Sequence, residues 1–142
     1  MSDDAIDAIE ARRAARKAAR AAEARAQLAA DLEALDALEE AHGDSNLKRL
    51  DVPFTPGLPT LCVVRTPRPV EIKRYRDQVK PRGPGDVPDL TKAAEAVCAV
   101  ALVYPAADVF VKMCEARPGL AAQLGSVALS LALGAEAAEG KG

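Results

Sequence analysis

The chain has 142 residues, with 19 basic and 21 acidic side chains, a formal charge of −2, two Phe, two Tyr and no Trp. That balance excludes a general attraction to nucleic acid or to an anionic membrane. Residues that bury the largest areas are scarce, so the core must be built mostly from Ala, Leu and Val. Such a core has little margin, and an oligomer or a partner is expected to complete it.

The first element is a long helix over residues 1–42. From Ser2 to Ala41 there is no Gly and no Pro, and strong helix formers dominate. Asp3, Asp4 and Asp7 suit the positive end of the helix dipole, and Gly43 ends the run. At 1.5 Å per residue such a rod would measure ~58 Å, too long for a compact globule of this size. Its charges are segregated. Arg12, Arg13, Arg16, Lys17, Arg20 and Arg25 form a basic block, and Asp31, Glu33, Asp36, Glu39 and Glu40 an acidic one. Two copies packed antiparallel would set each block against its opposite. Ala11, Ala15, Ala18 and Ala22 are the candidates for a close-packed seam, and Leu28, Leu32 and Leu35 for a stickier C-terminal patch. The plain alternative is a solvated single helix. Nucleic acid is not the expected partner of the basic block, because aromatics are missing and the acidic block follows at once.

Residues 43–59 read as a linker, since Pro53, Pro56, Gly57 and Pro59 exclude regular structure. A small helical domain is expected over 60–134. "TLCVVR" reads as a short strand, or half of a hairpin whose mate lies in the linker. Pro69 suits the first position of a helix running to Val79, with Ile72 and Val79 inward. After the breaker cluster "KPRGPGDVP", Asp89 can cap a third helix. Its stripe is Leu90, Ala93, Ala94, Val97, Cys98, Ala101 and Leu102, and Tyr104 with Pro105 ends it. Val109, Phe110, Met113 and Cys114 mark a short helix. A last one starts at Pro118, buries Leu120, Leu124, Val127 and Leu131, and stops at Gly134 before a polar tail, 135–142. The fold class is therefore mainly α: a long N-terminal helix, a linker, and a small helical domain opening on a strand or hairpin.

No catalytic constellation is expected. His42 is the only histidine, at the end of the long helix, and no nucleophile is paired with it in the sequence. Glu71, Asp77, Glu95, Asp108 and Glu115 read as exposed helix faces. Cys62, Cys98 and Cys114 are widely spaced, which suits buried apolar residues in a reducing compartment better than a metal site. No cofactor or metal is expected. "MSDDAIDAIE" lacks the apolar core of a secretory leader, and no run of ~20 apolar residues offers a membrane span.

One resemblance is carried by order and spacing. "VVRTPRPVEIKRYRDQV" gives a strand, a proline, then a charged helix with Glu71 third and Tyr75 one turn on. "AEAVCAVALVYPAADVFVKMCEARPGLAAQLGSVALSLALG" gives an apolar helix, the Tyr104–Pro105 corner and two further helices closed by "LG..AL.LA". Residues 60–134 are similar in this way to the tail assembly chaperones of tailed bacteriophages and related prophages. Pro67, Glu71, Tyr75, Tyr104 and Pro105 fall on the family's motif positions. Where the family typically has Ser or Thr, this chain has Arg68, which cannot supply the acceptor of a capping box. The long N-terminal helix lies outside the resemblance.

The resemblance implies a non-enzymatic binding protein of the bacterial host cytoplasm. Its partner would be the apolar, helical tape measure protein, held until the tail tube assembles around it. The candidate partner-binding residues are Glu71, Arg74, Tyr75, Tyr104, Pro105 and Phe110. An adaptor that stays in the tail, docked through its long helix, is the alternative.

Overall fold

A computed structural model of the chain describes residues 2–140, with side chains described as far as residue 134. Helix α1 (Asp3–His42) is continuous over 40 residues. Ser2 caps it, its Oγ accepting from the Ala5 N–H at 3.3 Å. Gly43 closes the other end at φ 84°, where a side chain would be strained, and its N–H donates to the Glu39 carbonyl at 2.8 Å. Residues 10–23 of α1 are exposed on every side.

The expected linker, 43–59, is structured in its first half. A single 3-10 turn (Asp44–Asn46) leads into strand β1 (Leu47–Asp51), which pairs antiparallel with β2 (Leu61–Arg65). The hairpin mate is thus found inside the linker. Irregular backbone is confined to 52–60, where the prolines stand, and the Val52 N–H closes that loop on the Thr60 carbonyl at 2.8 Å. A third strand, β3 (Leu102–Tyr104), pairs with the other edge of β2, with a shift in register between Val63 and Val64. This corrects the helix expected to continue to Tyr104. Pro105 disfavours helical backbone at the residue before it, and the free edge of β2 offers the segment hydrogen bonds that a frayed helix end lacks.

In β2 the residues Leu61, Cys62, Val63 and Val64 are all fully buried, because the sheet is covered on both faces. Leu61 and Val63 point to one side, where they pack with Leu47 and with Leu35 of α1. Cys62 and Val64 point to the other, into the main core of Val97, Cys98, Ala101, Phe110, Met113, Leu124 and Ala128. The C-terminal third of α1 therefore forms one layer, the sheet the middle, and the remaining helices the third.

Those helices are α2 (Pro69–Val79), α3 (Leu90–Ala101), α4 (Ala107–Ala116) and α5 (Leu120–Gly140). Asp89 caps α3 as expected, accepting from the Lys92 N–H at 3.0 Å. α3 packs most extensively against α5. At their crossing, a Cβ on Gly125 would stand 1.8 Å from the Ala94 carbonyl oxygen, so only glycine permits the approach. Helix α5 runs past Gly134, the expected stop, because a single exposed glycine among Ala and Glu lowers helix stability without ending it. The expected polar tail is thus helical to Gly140, and its last two residues lie outside the described ones.

Candidate partner-binding groove

Helix α2 starts at a small network. Pro69 occupies the first helical position, where its missing N–H leaves nothing unpaired. Glu71, two residues on, accepts from the Arg68 N–H at 2.7 Å. The Arg68 guanidinium has no acceptor atom, so the reciprocal half of a capping box is absent, and the Glu71 N–H donates to the Arg68 carbonyl at 2.9 Å instead. Glu71 also receives a two-pronged contact from Arg65, at the end of β2, with both bonds 2.9 Å. The same guanidinium donates to the Val100 carbonyl at 2.8 Å, in the last turn of α3, where a helix leaves carbonyls unpaired. One arginine thereby ties β2, α2 and α3 together. Its hydrogen bonds hold the Glu71 carboxyl down at about 2, with partial burial opposing and the Arg68 N–H adding to the effect. Only 11% of the Glu71 side chain is exposed, so the expected solvated position is corrected.

Beside this network, α2 and α3 line a groove of about 370 Å³. Tyr75, Ala96, Val97 and Val100 give it apolar surface, and Glu71, Arg74, Asp77 and Gln78 supply polar groups. Val100 remains 41% exposed. Glu71, Arg74 and Tyr75 were expected at a binding surface, and the fold brings them together here. Their α3 counterparts went unread. The signal was present: "AVCAVALV" has no polar side, and in so small a domain part of such a helix must stay uncovered.

Tyr104, Pro105 and Phe110 are not at this groove. Pro105 is buried and Phe110 is buried in the main core. The Tyr104 hydroxyl donates to Asp31, which is fully buried although the sequence groups it with a solvated acidic run. Asp31 also accepts from the Thr60 N–H at 2.7 Å, the Thr60 hydroxyl at 2.6 Å and the Gln27 amide at 3.0 Å. Burial alone would raise its pKa, but these four donors outweigh that and hold the carboxyl below its ordinary value. Burial and the neighbouring carboxylate push the Tyr104 hydroxyl up, so it stays protonated and donating. The cluster fixes α1 to the β1–β2 loop and to β3. Spacing could have revealed it, since Asp31 lies one turn before Leu35 and two before Leu38, on the apolar side of the helix.

The helix-pairing candidates divide. Ala11, Ala15, Ala18 and Ala22 are exposed, and Leu28 and Leu32 are each 40% exposed. Leu35 is 8% exposed and packs on Leu47, Leu61 and Val63, so it is not available to a second helix. Burial puts Cys62 and Cys98 thiols at about 12, keeping them protonated. Among the described residues, no group of three or more His, Cys, Asp or Glu could hold a metal ion, and no helix is long and apolar enough to cross a membrane. Comparison with family models, with curated proteins and with solved structures finds no match.

Proposed function

We propose that this chain is a tail assembly chaperone of a tailed phage or prophage, a binding protein and not an enzyme, acting in the cytoplasm of the bacterial host. In this reading the groove between α2 and α3 takes apolar helical segments of the tape measure protein. The observation that carries it is the groove's make-up: the apolar side chains of Tyr75, Ala96, Val97 and Val100 beside the polar groups of Arg74, Asp77 and Gln78. An amphipathic helix laid there buries its apolar side and leaves its polar side wet. So small a groove holds a few side chains per segment, which suits reversible binding repeated along a long partner. The strand–proline–helix order and the Tyr104–Pro105 corner support the same assignment by resemblance.

Co-expression tests it. The tape measure protein is expected to co-purify with the full chain and to gain soluble yield. Val100→Asp combined with Ala96→Glu, both at exposed positions, should cut co-purification at least about tenfold with little change in melting temperature. If the two proteins neither co-purify nor alter each other's solubility, the assignment fails. The adaptor reading draws on one observation, the exposed stretch 10–23 of α1. Stoichiometric amounts of the chain in purified particles, read by mass spectrometry, would favour it.

A further inference from the structure

The N-terminal half of α1 carries a second surface, separate from the groove between α2 and α3. Arg13, Arg16, Lys17 and Arg20 recur at helical spacing and so share one side of α1. Continued at the same spacing, that side reaches Ala24, Gln27, Asp31 and Leu35, the stripe seated on the body. The four cations therefore project from the side of the helix that faces the body. There they line a cleft of about 510 Å³ together with Phe54, which comes from the loop between β1 and β2. Like charges at this spacing destabilise a lone helix. Within the described residues none of the four makes an ion pair, and no carboxylate lines the cleft.

We propose that this cleft binds an acidic helical segment of another protein, with one of its apolar side chains seated on Phe54. The cations follow the pitch of α1, and a helical partner presents carboxylates at that same pitch. The charge pattern along α1 favours a polypeptide over nucleic acid. Asp3, Asp4, Asp7 and Glu10 precede the cations, and Glu33, Asp36, Glu39 and Glu40 follow. A nucleic-acid strand carries its charge uniformly, and continued along this side of α1 it would meet Glu10 at one end of the cleft and, at the other, the cation-free stripe seated on the body. A peptide confines its charge to the turns that face the cleft. A second copy of this chain fits poorly. Its Glu33, Asp36 and Glu40 lie offset by two residues from the cation stripe, about 200° around the helix. A two-fold pair of straight helices cannot align both blocks in one seam.

The proposal does not rest on the chaperone assignment. Its test uses the full chain and a fluorescently labelled helical peptide of Glu, Ala and Leu, with Glu at every third or fourth position. The expected result in fluorescence anisotropy is binding at low salt that weakens as salt rises. Arg16→Ala combined with Arg20→Ala should weaken it about tenfold, and Phe54→Ala a few-fold. Both arginines are exposed, and circular dichroism checks that the helix remains. Val100→Asp, in the other groove, should leave peptide binding unchanged, so the two readings fail separately. Three results would overturn the proposal. One is equal binding of the peptide with Gln in place of Glu. Another is tighter binding of a single-stranded oligonucleotide of the same charge. The third is a salt-sensitive dimer in light scattering that the double arginine variant abolishes, which would make a second copy the occupant.

Discussion

Asp31 is fully buried and keeps its charge on hydrogen-bond donors alone: the Thr60 N–H and hydroxyl, the Tyr104 hydroxyl and the Gln27 amide. A buried carboxylate is costly unless such donors are already in place. Asp31→Asn keeps the shape but turns an N–H₂ group toward donors. Urea unfolding at neutral pH should show a loss of about 2–4 kcal/mol. The pH dependence has a definite sign. The folded carboxyl sits below its ordinary value of 3.8, so its contribution is complete above that pH and disappears as pH falls through the folded value. The stability gap between wild type and Asp31→Asn should therefore narrow on acidification below about pH 4. A gap that stays constant to pH 2 would show that shape, not charge, is what the site needs. Nothing in the local run "AADLEALDALEE" distinguishes Asp31 from its acidic neighbours except its place on the Leu35–Leu38 side of the helix.

At the scale of elements, the crossing of α3 and α5 turns on one missing methyl group. Gly125→Ala would improve helix propensity by about 1 kcal/mol if the position were open. Here the new Cβ meets backbone, the Ala94 carbonyl, and backbone cannot rotate away as a side chain can. The helices must separate along a core that includes Val97, Leu124 and Ala128. A net loss of about 3 kcal/mol is expected, seen as a clear drop in thermal midpoint. An unchanged midpoint would mean that the two helices part without loss of packing. The buried stripe of α3 from Ala93 to Ala101, the cap at Asp89 and the first-turn place of Pro69 were legible because they depend on local spacing and local chemistry, whereas Leu90, read with that stripe, is exposed. The switch from α3 to β3 was not. Leu102–Tyr104 is apolar enough for either state, and the deciding bonds come from β2, about forty residues earlier in the chain.

For the molecule as a whole, α1 has two unequal parts. Its last third is a layer of the fold, and its first part extends with residues 10–23 exposed. Deleting residues 1–20 should change the unfolding free energy by less than about 1 kcal/mol, because little is packed there. Deleting 1–38 should instead leave Leu47, Leu61 and Val63 uncovered and yield insoluble protein, since it strips one face of the sheet. Sedimentation and thermal melts of both deletions check this. A large fall in midpoint for the shorter deletion would show that the projecting stretch is packed on the body after all.

By itself the sequence determined the presence of the five helices, the Asp89 cap, the Gly43 stop, the hairpin strand at "LCVVR" and the mainly α class, because helix and turn signals act over a few neighbouring residues; it misplaced the ends of α3 and α5. Of the groove it showed the α2 half, through Glu71, Arg74 and Tyr75. The tertiary structure alone decided the rest. It placed Ala96 and Val100 opposite them, set Phe110 in the core and half-buried Tyr104 against Asp31, and turned Asp31, fully buried, and Glu71, partly buried, from surface charges into fastenings. Those outcomes depend on which distant segment arrives at a given face. A side chain's own neighbours in sequence record at most which side of its element is apolar, not which segment arrives there.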